Sequence, residues 1–135
     1  MDEVTLNQIK KTLLNSKVET ITWEGGVPSI NFGKSNLYII CAWRLVDGGD
    51  IIVASGDSDG IEEEGIVVVQ NTLYGKSVKR VSVQLPFHDL KIEFSEGVLL
   101  ETFSDAHRFE HWNLIGREHE VDMIIAGPGS LWSAF

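Results

Sequence analysis

Cysteine occurs once in this chain, at Cys41, so no internal disulfide can form and no pair of thiolates is at hand for a metal. Its place in an apolar run marks it as a small buried hydrophobe. Basic residues are scarce as well: 11 Lys and Arg stand against 20 Asp and Glu, for a formal charge of -9 and a pI near 4.8. So acidic a surface argues against nucleic acid as the main partner and suits a basic one. No apolar run reaches the roughly 18 to 20 residues of a membrane span. Met1-Asp2-Glu3 is acidic where a targeting segment would be basic. The expectation is a cytoplasmic protein with no membrane partner. Proline numbers only 3, and no Pro- or Ser-rich linker interrupts the 135 residues, so one domain over 1–135 is expected.

Signatures of catalysis are also missing. There is no Gly-x-Ser-x-Gly elbow, and Cys41 sits in an apolar strand, not an electropositive turn. Gly127-Pro128-Gly129-Ser130 follows a strand-like segment but is not continued by the Lys-Ser/Thr of a phosphate loop, and it reads as a turn. No cofactor is implied.

What the chain does have is a change of period. Val4, Leu6, Ile9, Leu13 and Leu14 fall near helical spacing over 3–15, with Asp2 or Thr5 as N-cap and Asn15-Ser16 as exit. Thereafter the period is two: Ile21 and Trp23, Ile30 and Phe32, then Leu37, Ile39, Cys41, Trp43 and Leu45 alternate with more polar neighbours. Turns are marked by Gly25-Gly26, Gly33-Lys34 and Asp47-Gly48-Gly49. The β-branched runs Ile51-Ala54 and Ile66-Val69 read as buried strands.

The chain also repeats itself. Val18 matches Val78 at an offset of 60, Ile30-Asn31-Phe32 matches Ile92-Glu93-Phe94 at 62, and Trp43-Arg44-Leu45 matches Trp112-Asn113-Leu114 at 69. Asp50 to Ala54 matches Asp122 to Ala126 at 72. The expected fold is therefore α+β: an N-terminal helix, then a mostly antiparallel β structure built from two similar strand-rich halves, about 13–60 and 73–130.

Three constellations are candidates for chemistry. Asp57, Asp59, Glu62, Glu63 and Glu64 put five acids in eight positions of an expected loop. They lack the bidentate Glu spacing of a calcium loop, and they are left as a solvated loop or as a surface for a cationic partner. His107-Arg108-Phe109-Glu110-His111 fits the inverted zinc-peptidase pattern, with Glu118 or Glu120 as a third ligand. The alternative there is a short exposed helix capped by Ser104 or Asp105, with Phe109 and Trp112 turned inward. Trp23, Trp43 and Trp112 fall in step with core neighbours, whereas Trp132, beside Leu131 and Phe135, could cover a sheet edge.

Leu73-Tyr74-Gly75-Lys76, Leu90 to Phe94, Leu100 to Phe103, His111 to Ile115 and Met123 to Gly129 resemble a group of small acidic bacterial proteins classed with immunity proteins of polymorphic and contact-dependent toxins. Trp43-Arg44-Leu45 and Ser55-Gly56-Asp57 fit the same pattern. The resemblance implies an α+β protein without catalytic residues that binds and blocks a cognate toxin; the net charge makes a basic toxin the expected partner, and no metal is expected. The resemblance transfers no residue roles. The partner-binding expectation rests on charge alone and falls on Asp57, Asp59, Glu62, Glu63 and Glu64. Two alternatives stand beside it: a small metal-dependent enzyme or ligand-binding protein centred on His107, Glu110 and His111, and a homodimer module using edges near Ile66-Val69 or Leu131-Phe135.

Overall fold

A computed structural model describes residues 3–57, 63–104, 110–116, 123–127 and 130–134, with Met123 and 130–134 described by backbone alone. The first half runs α1 (Glu3–Leu13), β1 (Thr20–Glu24), β2 (Val27–Asn31), β3 (Ser35–Ile39), β4 (Ala42–Asp47) and β5 (Asp50–Ala54). The second runs α2 (Glu63–Leu73), β6 (Val78–Gln84), β7 (Asp89–Phe94), a 3-10 turn (Ser95–Gly97), β8 (Val98–Phe103), β9 (Trp112–Gly116), β10 (Met123–Gly127) and β11 (Ser130–Ala134). The fold is α+β, with two antiparallel sheets ordered β1-β2-β3-β9-β10-β11 and β5-β4-β8-β7-β6.

Each sheet mixes the halves. A three-strand meander from one half is completed by strands of the other, β9, β10 and β11 in the first sheet and β4 and β5 in the second: β3 pairs with β9, and β8 pairs with β4. At the junction, Lys17 and Ser77 form an antiparallel bridge with each other, and they are themselves 60 positions apart. The bonds around it come in matched pairs. Asn15 N donates to Val78 O as Gly75 N donates to Val18 O, and Val78 N donates to Ser16 O as Val18 N donates to Lys76 O. An approximate two-fold axis therefore passes between Lys17 and Ser77.

Both helices stop by the same device. Asn15 and Gly75, one residue past a last turn closed by Leu14 and Tyr74, take positive φ of 67° and 76°. That conformation reverses the chain, and Asn and Gly adopt it most readily. The helix burial is narrow: Thr5, Ile9 and Leu13 in α1, and Val69 and Leu73 in α2, lie four apart and face inward. Val4 and Leu14 are exposed, so the expected apolar stripe of α1 shrinks to Ile9 and Leu13, joined by Thr5.

Inner faces of both sheets and both helices meet in one core. Leu37, Leu45, Leu73, Val78, Ile92 and Trp112 have no exposure, and each such aliphatic side chain contributes roughly 1.5–3 kcal/mol relative to a solvated one. Leu37, Ile39, Cys41, Trp43 and Leu45 are all buried, but this alternating run is not one strand. The chain leaves the first sheet after Ile39 and enters the second at Ala42, passing across the shared core while keeping one face inward.

The expected strand at Ile66-Val69 is corrected to the middle of α2. β-branched residues favour strands only weakly. Here Glu63 and Glu64 in the first turn favour the helix N-terminus, and the buried Val69–Leu73 spacing repeats that of Ile9 and Leu13 in α1. The halves accordingly begin at the helices, at 3 and 63, ahead of the 13 and 73 read from the sequence.

Candidate functional site

Because the two sheets are related position by position, their outer faces can be compared row by row. In the second sheet one cross-strand row reads Ser82, Lys91, Glu101, Arg44, and the next reads Arg80, Glu93, Leu99, Val46. In the first sheet the same rows read Thr22, Ser29, Tyr38, Asn113 and Thr20, Asn31, Asn36, Ile115. Five charges on one face thus correspond to none on the other.

Two ion pairs lie on the charged face. Arg44 Nε lies 3.1 Å from Glu101 Oε1, and its guanidinium sits 4.6 Å over the Phe103 ring. Arg80 pairs more loosely with Glu93 at 3.6 Å. Surface pairs like these contribute little stability each, about 0–1 kcal/mol, but they keep the sheet face charged and solvated.

The neutral face is different in kind. It dips into a trough of about 410 Å³ between Thr20, Thr22, Ser29, Asn31, Asn36, Tyr38 and Asn113, with Val27 and Ile40 at its margins and Glu24 its one charge. Those polar groups both donate and accept. Asn113 Nδ2 donates to Glu110 Oε2 at 3.0 Å, but Asn113 Oδ1 is buried with no hydrogen-bond partner among the described residues. A buried acceptor left unmet costs roughly 1–3 kcal/mol. The volume falls in the range of pockets that hold a small ligand or an anchoring side chain.

Searches against protein-family models, curated proteins and solved structures return no match for this chain.

The acidic cluster divides. Asp57 is exposed, and its carboxylate closes the end of β5: Oδ2 accepts from Ala54 N at 3.0 Å, while Asp57 N donates to Ala54 O. Glu63 and Glu64 are exposed in the first turn of α2, so they are not part of a loop, and Asp59 and Glu62 lie outside the described residues. The members that are described each have a local use, and none lines the trough.

The zinc-like motif falls largely outside the described residues. His107 to Phe109, Asp105, Glu118 and Glu120 lie outside the described residues, Glu110 is exposed, and His111 is buried immediately before β9. Among the described residues no group of three or more potential ligands gathers. His111 instead joins a polar knot. Ser104 Oγ is 2.8 Å from Asp89 Oδ1 and 2.9 Å from His111 Nδ1, and Ser104 N also donates to Asp89 at 2.8 Å. Asp89 thus engages the serine and not the imidazole, which is the wrong order for activating a nucleophile. Next to the knot, His88 is 7% exposed, with Nδ1 unpartnered among the described residues, and its carbonyl accepts from Trp112 Nε1 at 2.9 Å. Burial, the largest cause, holds its pKa below the ordinary 6.5.

The trough residues carried no motif, but the repeat alignment already set Asn31 against Glu93 and Arg44 against Asn113. A charged residue matched by an amide at aligned outward positions was the available signal.

Proposed function

We propose that this is a non-enzymatic binding protein that holds a basic protein partner, a cognate toxin of the sort neutralised by immunity proteins, and that the neutral trough is its grip. The observation that supports this reading is the divergence of two outer faces built on matching strands. The fold tolerates charge at each of those positions, because Arg80, Lys91, Glu93, Glu101 and Arg44 occupy them on the second sheet. Their absence from β1, β2, β3 and β9 removes the cost of desolvating ions when a partner covers the face. Hydroxyls and amides, with Glu24 as the one acid, are suited to hydrogen-bonding a surface and not to moving protons. The net charge of -9 supplies long-range attraction to a basic partner.

The test exchanges the first face for the second. The variant Thr20→Arg, Ser29→Lys, Asn31→Glu, Tyr38→Glu installs at each site the residue of its counterpart and keeps the net charge, so folding and steering are preserved. Titrated calorimetrically against a basic toxin domain from a neighbouring reading frame that the native protein binds, this variant is expected to bind about 100-fold more weakly, a loss of about 2.7 kcal/mol. Unchanged affinity would remove the trough from the reading. A native protein that binds no such domain and protects no cells from it would remove the reading itself.

A further inference from the structure

Resting on that reading, we infer that the partner is held through an extended, basic segment that adds as a strand to the outer edge of β1, in the groove between β1 and α2.

Edge strands with open backbone groups invite pairing, and proteins usually blunt them. Two of the edges here are blunted. At β5, Asp57 occupies both the amide and the carbonyl of Ala54. At β6, α1 lies against the strand. Its pseudo-symmetric counterpart α2 reaches β1 through Gln70 and also packs beside β5. The space left open is a groove of about 270 Å³ bordered by Ile21, Gln70, Asn71 and Tyr74.

The backbone of β1 faces this groove. Gln70 Nε2 donates to Ile21 O at 3.3 Å, so the Ile21 carbonyl points away from β2 and toward α2. By the alternation of an antiparallel ladder, the amide and carbonyl of Trp23 point the same way. No described residue outside the ladder bonds to either Trp23 group. The accessible stretch is short. The paired bonds of Val18 with Gly75 and Lys76 close one end, and the turn after Glu24 closes the other, leaving Ile21 to Glu24. Gln70 stands where the first donor of an incoming strand would sit, a long 3.3 Å contact that a backbone N–H would replace with a better one.

Strand addition gives affinity through main-chain bonds and selectivity through pockets for alternate side chains. Side chains on the inner side of an added strand would enter the α2 groove beside Asn71 and Tyr74. Those on the outer side would extend the trough rim beside Thr20, Thr22 and Glu24. Charge sets the chemistry of the segment. Gly75 bonds Val18 and Gln70 reaches Ile21, so α2 runs antiparallel to β1 and its acidic first turn, Glu63-Glu64, lies toward the Glu24 end. A segment carrying Lys or Arg complements that end.

The test titrates the full protein with a capped hexapeptide of alternating lysine and valine and follows backbone amide exchange by NMR. Saturable binding that slows exchange of the Ile21 and Trp23 amides at least 10-fold is expected. Asn71→Trp, which fills the groove from an exposed position, should abolish that slowing, whereas Ser82→Lys on the far sheet should leave it intact. No binding, or binding that leaves both amides exchanging at their free rates, would overturn strand addition. The two readings separate cleanly: a protein that still holds its basic partner with those amides unprotected refutes only the added strand, and loss of partner binding altogether refutes the proposed function.

Discussion

Trp43 and Trp112 occupy equivalent positions on either side of the pseudo-two-fold axis, which turns a pair of conservative substitutions into a controlled experiment. Both are buried, with exposures of 4% and 0%. Replacing either with Phe removes the same atoms, so the transfer and cavity losses, together about 1–2 kcal/mol, are shared and cancel in the comparison. What remains is local. Trp112→Phe deletes the Nε1 donor and leaves the His88 carbonyl without its 2.9 Å bond in a buried site, worth about 1–3 kcal/mol. Trp43→Phe weakens only the tilted contact with Trp23, whose ring centroid is 6.0 Å away, a pair worth about 0.5–1.5 kcal/mol at most. Trp112→Phe should therefore be the more damaging by about 1 kcal/mol, equivalent to about 4 °C in Tm for a chain of this size. Urea unfolding followed by far-UV circular dichroism, with the slope unchanged between variants, measures the difference directly. Equal midpoints, or a lower one for Trp43→Phe, would show that the bond from Trp112 to the His88 carbonyl does not carry the stability assigned to it.

Two further outcomes follow from the same surroundings. His88 is held neutral, with its pKa below the unfolded 6.5, so the unfolded chain binds more protons; stability should be complete above pH 6.5 and fall as pH drops below it, and His88→Asn should flatten that slope in urea midpoints taken at pH 7.5, 6.5 and 5.5. Asp57→Ala should leave the global midpoint nearly unmoved but free the Ala54 amide, so faster exchange at Ala54 alone is expected, and unchanged exchange there would deny Asp57 its role on the β5 edge.

The α+β class and most strands were legible because period-two burial is a local property: Ile30, Phe32, Leu37, Ile39, Trp43 and Leu45 announce their inward face one by one. The repeat offsets of 60, 62 and 69 coincide with those at which β1 and β6, β2 and β7, and β4 and β9 align. At the fifth strand the sequence offset of 72 holds for Ile51 and Met123, but a bulge between Leu45 and Val46 resets Val53 to Ile124, an offset of 71. No composition rule anticipates a bulge. α2 was missed for a physical reason: Ile66, Val67, Val68 and Val69 have strand propensity, and only the demand of the core for one residue in four made them helical. The candidate site is hard to see in the sequence because it is defined by missing charge, whereas the conspicuous acids lie off the trough where they are described.

The exchange of strands between halves also explains why the two outer faces were free to diverge. Each sheet is completed by the other half, so the inner positions of both halves answer to one common core, and a change at Leu45 or Leu114 is felt by both sheets. The outer positions answer only to their own row. A charge lost from Arg44's counterpart at Asn113 disturbs nothing in the core, yet it alters a row whose other members, Thr22, Ser29 and Tyr38, come from the opposite half of the chain. The trough is thus assembled from β1, β2 and β3 of the first half and β9 of the second, and neither half alone could present it. Integrity of the fold and integrity of the site are bound together at the β3–β9 pairing, where a substitution that unseats Leu37 or Leu114 would dismantle both at once.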